Sequence, residues 1–317
     1  MFSLLLCLFV HVGAAVLFDD LAGSMQTFWN DSNGLPSNTM LDIVQDDTGY
    51  IWLASYDGLI RFDGFSFTEF TKAEYGFTGT SPRVLKNGVD GSLWIGTNTS
   101  GLYNYKKKKF IHYGSDSGLP DISIRAINID ENGRLYVGTA GGVAYLNDEG
   151  QFVPLTAEVN AEIGVVSFIL PVKDSLWIGS NMNGIKVVKN GHILTLPYLK
   201  EIEGENFSSG YLDIDGSVWL GAQSGKMFQI KDEQIKIYDF EVMQSASING
   251  FIRPKNGNLF VASYKGLGRF SETGFELFSE KKGLPDKLVS ALCEDKEGNL
   301  WVAMKNAGVG KFSKRKF

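Results

Sequence analysis

Arg83 and Arg125 stand 42 residues apart, and each falls eleven residues before an aromatic that closes a short apolar run, Trp94 in one case and Tyr136 in the other. Two guanidinium groups at equivalent places in the chain suit a carboxylate or a sulfate, because a planar fork of donors matches two anionic oxygens at once. Around the same aromatics lie short polar stretches carrying Tyr56, Asp57, Asn98, Thr99, Asn181, Asn183, Gln223, Tyr264, Lys265, Lys305 and Asn306. Amides, hydroxyls and a few aromatics are what sugar hydroxyls need, and with Lys265 and Lys305 the arginines favour a uronate or a sulfated sugar. The plain alternative is that these are ordinary polar loops whose arginines pair with nearby carboxylates.

Other chemistry finds less support. Beyond the leader the chain holds two histidines, His112 and His192, both beside residues expected in outer strands at the rim. No histidine or cysteine cluster has metal-ligand spacing. Asp213-Ile214-Asp215-Gly216 and Asp295-Lys296-Glu297-Gly298 resemble the start of calcium loops but lack the later ligands, so they read as hairpin turns. Neither a glycine-rich phosphate loop nor a Gly-x-Ser-x-Gly elbow occurs, and the sequence calls for no cofactor. The run Lys106 to Lys109 reads as a solvated turn that protects a sheet edge. A formal net charge of −6 argues against a nucleic-acid partner.

The elements that position these residues come from a repeat. Asp47-Thr48-Gly49-Tyr50-Ile51-Trp52-Leu53-Ala54-Ser55, then Gly58-Leu59, recurs as Asp90-Gly91-Ser92-Leu93-Trp94-Ile95-Gly96-Thr97 with Gly101-Leu102, and again as Asn132-Gly133-Arg134-Leu135-Tyr136-Val137-Gly138-Thr139 with Gly142-Val143. Further copies centre on Trp177, Trp219, Phe260 and Trp301, so the seven aromatics are spaced by 42, 42, 41, 42, 41 and 41 residues. The Asp/Asn-Gly pairs suit tight hairpin turns, and the run that follows suits a short buried strand. An apolar inner strand precedes each copy, and spaced aromatics such as Phe67 and Phe70, Phe110 and Tyr113, or Phe275 and Phe278 mark a fourth, outer strand. Four strands recurring seven times predict an all-β, seven-bladed β-propeller with antiparallel blades spanning residues 24–317.

The outer strand is normally followed by Gly-Leu-Pro, and the N-terminal segment shows Met25, Phe28 and Gly34-Leu35-Pro36 with no blade before it. The seventh repeat reaches Phe312 and then Phe317, the first aromatic of an outer strand, where the sequence stops. Residues 25 to 30 are therefore expected to complete blade seven and close the ring, and the ending reads as a cut from a longer receptor.

Residues 1–23 read as a signal peptide: Met1 to Phe18 is almost wholly apolar, with small residues at Gly13, Ala14 and Ala15. Its removal takes Cys7 and leaves Cys293 as the only thiol, so no intrachain disulfide is expected. No later stretch approaches the roughly 18 to 20 apolar residues that cross a bilayer. Periplasmic export follows as the expectation.

The order Gly-Leu-Pro, inner strand, Asp-x-x-Gly-x-Leu-Trp-Ile-Gly-Thr, Gly-Leu and aromatic pair resembles the two-component regulator propeller repeat. That resemblance implies the exported sensor part of a hybrid histidine kinase or diguanylate cyclase, binding an oligosaccharide or another extracellular cue and passing occupancy to a signalling partner or to transducer domains outside this chain. It does not imply an enzyme. A protein–protein scaffold using the same face is the alternative, and a propeller-fold polysaccharide lyase the third reading.

Overall fold

The computed structural model describes residues 23–255, 257–271 and 274–313. Seven four-stranded antiparallel sheets form the blades of a ring. The inner strands are Met40–Gln45, Pro82–Asn87, Ile124–Ile129, Val166–Val172, Phe207–Leu212, Ile248–Ile252 and Val289–Glu294. Each hairpins into the strand that carries a repeat aromatic, from Ile51–Ser55 in blade one to Leu300–Met304 in blade seven.

Local chemistry explains the hairpins. Asp46 Oδ1 accepts the backbone N–H groups of Thr48 and Tyr50, and Gly49 takes the left-handed turn at φ +96°. The same aspartate accepts the indole N–H of Trp52 at 2.7 Å, which lets the ring bury completely without an orphaned donor. Blade four turns on Lys173 and Asp174 alone, pairing Val172 with Ser175, and is one residue shorter for it.

The core lies between blades. Trp52 packs against Phe70 in its own blade and Tyr105 in the next, and Trp219 packs against Phe270 across the following seam. Two residues beyond the repeat aromatic the chain uses glycine or alanine. A Cβ on Gly96 would lie 2.5 Å from Ile124 Cγ2, and one on Gly138 would lie 2.5 Å from Val166 Cγ1, both from the neighbouring inner strand. Close approach of the next blade therefore dictates the small residue in Trp-Ile-Gly-Thr.

Closure follows the expected scheme. Met25–Trp29 pairs antiparallel with Gly308–Ser313, running from Met25 opposite Ser313 to Trp29 opposite Val309. Trp29 stacks on Trp301 with centroids 5.5 Å apart. The N-terminal strand thus becomes the outer strand of blade seven and covers its edge. The segment before residue 23, expected from the sequence to be a leader, lies with Cys7 outside the described residues, as does Phe317. No helix among the described residues is long and apolar enough to cross a membrane.

Candidate functional site at the channel mouth

Every inner strand slips register once, between its second-strand pairings at Met40/Asp42, Pro82/Val84, Ile124/Ala126, Val166/Phe168, Phe207/Ser209, Ile248/Gly250 and Val289/Ala291. Such a bulge leaves one residue unpaired and re-aims its side chain. The bulged residues are Leu41, Arg83, Arg125, Ser167, Ser208, Asn249 and Ser290, and all seven line a central cavity of about 360 Å³.

In four blades the bulged side chain stitches the ring. Ser167 Oγ donates to Phe207 O at 2.6 Å, Ser208 Oγ to Ile248 O at 2.7 Å, Asn249 Nδ2 to Val289 O at 2.8 Å, and Ser290 Oγ to Met40 O at 2.7 Å. Each donor reaches the equivalent carbonyl of the next blade. Blades one, two and three break this rule with Leu41, Arg83 and Arg125. Among the described residues neither arginine makes a side-chain hydrogen bond or an ion pair, and Arg125 buries its Nε without a partner. Arg83 is exposed to the channel as a residue, yet desolvation by the surrounding wall and then the charge of Arg125 hold its guanidinium below the usual arginine range, against the opposing influence of Tyr264. Pairing with nearby carboxylates is thus not what these arginines do.

A second ring lies above the first. The residue that follows each repeat strand donates its N–H to the carbonyl just before the inner strand: Tyr56 to Thr39 O, Asn98 to Ser81 O, Ala140 to Ser123 O, Asn181 to Val165 O, Gln223 to Asn206 O, Tyr264 to Ser247 O and Lys305 to Leu288 O. That bond holds these side chains at the mouth. Asn181, Gln223, Tyr264 and Lys305 line the cavity with the two arginines. Gln223 Nε2 donates to Asn181 Oδ1 at 2.7 Å, and Lys305 Nζ lies 4.5 Å from the Tyr264 ring centroid. Tyr56 and Asn98 occupy the same ring without lining the cavity, and Ala140 leaves a gap in blade three.

The remaining residues singled out from the sequence brace loops. Asp57 accepts from Ser37 Oγ at 2.6 Å, and Asn183 donates to the carbonyls of Glu162 and Ile163. Lys265 Nζ donates to Gln244 O, Asn306 N donates to Asp286 Oδ2, and Thr99 bonds Thr80.

Sequence reasoning did not single out Leu41, Asp42, Ser167, Ser208, Asn249 or Ser290. The signal was present, since the bulged residue falls eleven positions before the repeat aromatic in every blade but the fourth, where the shorter turn makes it ten. Asp42 accepts N–H groups from Leu85 at 2.7 Å and Ile43 at 2.8 Å, while burial, outweighing these bonds and Lys86, pushes its carboxyl up to about 6.

His112 lies far from this cavity. It sits on an outer strand, stacked on Tyr103 at 4.5 Å with its Nε2 2.8 Å from Ser100 O, and His192 opens the outer strand of blade four. Among the described residues no group of three His, Cys, Asp or Glu side chains could hold a metal ion.

Three segments, residues 34–57, 118–141 and 283–306, match the family model described as two-component regulator propeller. No curated protein matches the sequence. Among solved structures, the chain is similar to the extracellular domain of a hybrid two-component system from B. thetaiotaomicron, with TM-score 0.78 and 20% identity over 92% of this chain and 42% of that one. A one-component system's extracellular domain from the same organism gives 0.76 and 20%, covering 92% of this chain and 40% of that one. The chain therefore spans less than half the length of either. It is also similar to a catalytically inactive histidine-to-alanine variant of virginiamycin B lyase from Staphylococcus aureus, solved with quinupristin, with TM-score 0.71 and 18% identity over 92% of this chain and 100% of that one.

Proposed function

We propose that this chain, a two-component regulator propeller, is an exported sensor module that takes an acidic oligosaccharide or a similar anionic cue at the mouth of its central channel. One observation carries the reading. The ring-wide pattern of bulged donors to the next blade is broken where two unpaired arginines enter the cavity. Asp42 lines the same cavity but pairs with neither arginine, so two like charges are brought together without an ion-paired carboxylate at a cost in stability, and a bound anion relieves that cost. The amides of Asn181 and Gln223 and the ring of Tyr264 supply the neutral contacts that a sugar body needs.

Binding without turnover fits this cavity better than lysis. The lyase variant inactivated by loss of a histidine is similar in fold, yet both described histidines of this chain sit on outer strands. Signal output then belongs to a partner or to transducer segments beyond the propeller.

A thermal-shift panel of oligogalacturonates, sulfated disaccharides and their neutral counterparts tests the reading. At a ligand concentration 100 times Kd the added stability is about 2.7 kcal/mol. A charge-assisted hydrogen bond contributes roughly 1.5 to 3 kcal/mol, so Arg83→Ala or Arg125→Ala is expected to weaken acidic sugars about tenfold or more. Wild-type affinity in both variants would make the arginines structural, and no binding by either sugar class would favour a scaffold.

A further inference from the structure

The seam between blades three and four departs from the other six. At the other six seams a third-strand residue of the next blade meets the repeat aromatic ring to ring, as Phe62 does Trp301, Tyr105 does Trp52 and Phe270 does Trp219, or shares its hydrophobic cluster, as Leu146 does with Trp94, Ile230 with Trp177 and Phe312 with Phe260. At the seam in question the cover is Val188, the smallest of the set, and the aromatic is Tyr136. All the other repeat aromatics are at most 7% exposed, whereas Tyr136 stays half-buried. Where Trp52 and Trp301 give their N–H groups to an aspartate at 2.7 Å, the Tyr136 hydroxyl stands 3.3 Å from Asp130.

The space left over is a cleft of about 540 Å³, walled by Tyr136, Tyr145, Pro154, Pro171 and Val188. That volume falls in the range of small-ligand sites. It opens on the face of the hairpin turns, away from the arginine-lined mouth. The charges at its rim are mixed, Asp130, Glu131 and Asp174 against Arg134 and Lys173; Asp130 accepts the N–H groups of Asn132 and Arg134, and Asp174 is paired with Lys189. Arg134 lies over the Tyr145 ring, 5.3 Å from its centroid. With no concentrated charge and with aromatic faces beside hydroxyl and amide groups, the geometry points to a second binding site, one for a neutral sugar of one or two pyranose rings. The apolar C–H face of a pyranose packs on tyrosine while its hydroxyls reach the polar rim. This site is independent of the channel reading.

Isothermal titration of the protein with cellobiose, maltose and lactose is the test. At least one is expected to bind saturably, and Tyr145→Ala is expected to weaken it at least fivefold. Val188→Phe restores the cover used at other seams. It should fill the cleft, raise or keep the melting temperature and abolish disaccharide binding, while any shift caused by acidic sugars at the channel stays as in wild type. Failure of all three disaccharides to bind would overturn the proposal, and so would wild-type binding in Val188→Phe. If that variant does not fold, undiminished binding by Tyr145→Ala overturns it equally.

Discussion

Arg253 grips Asp213 across the seam of blades five and six, with Nε 2.9 Å from Oδ1 and Nη2 2.8 Å from Oδ2. The aspartate occupies the turn position from which Asp46 and Asp295 serve their tryptophans. Here the guanidinium claims it, and the Trp219 indole N–H is buried without a partner. Removing one member of a buried pair strands the other and costs up to about 3 to 5 kcal/mol. Because the Arg253 side chain is 29% exposed, Arg253→Ala is expected to lose less, about 2 kcal/mol on that scale, measured by urea denaturation. Arg253→Ala combined with Asp213→Asn should recover part of the loss.

Asp295 accepts the Trp301 indole N–H at 2.7 Å and the Asn299 backbone N–H at 2.8 Å. Asp295→Ala leaves buried donors unmet, a cost of about 1 to 3 kcal/mol for each. Asp130→Ala at the equivalent turn should cost less from its aromatic, since the Tyr136 hydroxyl is 3.3 Å away and half-buried. Denaturant midpoints of the two variants, measured side by side, check the order.

Ring closure gives the third expectation. Deleting residues 25 to 30 removes the outer strand of blade seven and the Trp29–Trp301 stack. The melting temperature should fall, and size-exclusion chromatography should show oligomers joined through the exposed edge. An unchanged melting curve with a monomeric profile would refute the closure scheme.

Two groups set opposite pH dependences. Burial raises Asp42 to about 6, so the native state binds a proton that the unfolded chain has already released between roughly pH 4 and 6. Stability from this group is present below its unfolded value and is lost as pH rises through 6. Hydrogen bonds from Ser217 hold Asp215 at about 2, so its contribution is present above pH 4 and is lost as pH falls toward 2. Asp42→Asn should flatten the pH 4 to 6 limb of the stability curve and leave the acid limb intact.

The fold was legible because its strongest signals are local and repeated. Trp52, Trp94 and Trp301 mark the same buried strand, and the placement of Phe28 relative to Gly34-Leu35-Pro36 revealed a strand separated from its blade by the whole chain. The cavity lining was legible at the mouth, where Asn181, Gln223, Tyr264 and Lys305 follow the repeat strand directly. It was less legible in the channel, because serines and asparagine at bulges look like ordinary strand residues and only their alignment across blades exposes them. The arginines stood out by charge, but that they interrupt a ring of stitches depends on backbone carbonyls supplied by the neighbouring blade. Tertiary partners of this kind also account for Asp213, whose turn looks like the others until Arg253 reaches it from 40 residues away.

Met25 faces Ser313 at the end of the pairing that closes blade seven. Both residues lie at the level of the hairpin turns between third and outer strands, on the side away from the arginines. Any segment leading into residue 25 or away from residue 313 is thus launched from one spot on the outer rim. A strand of five or six residues separates that spot from the channel mouth, about 17 to 20 Å in height. A tether at either end would leave the arginine-lined opening facing away from it, and on the proposed sensor reading occupancy would have to be read through the thickness of blade seven or around its circumference.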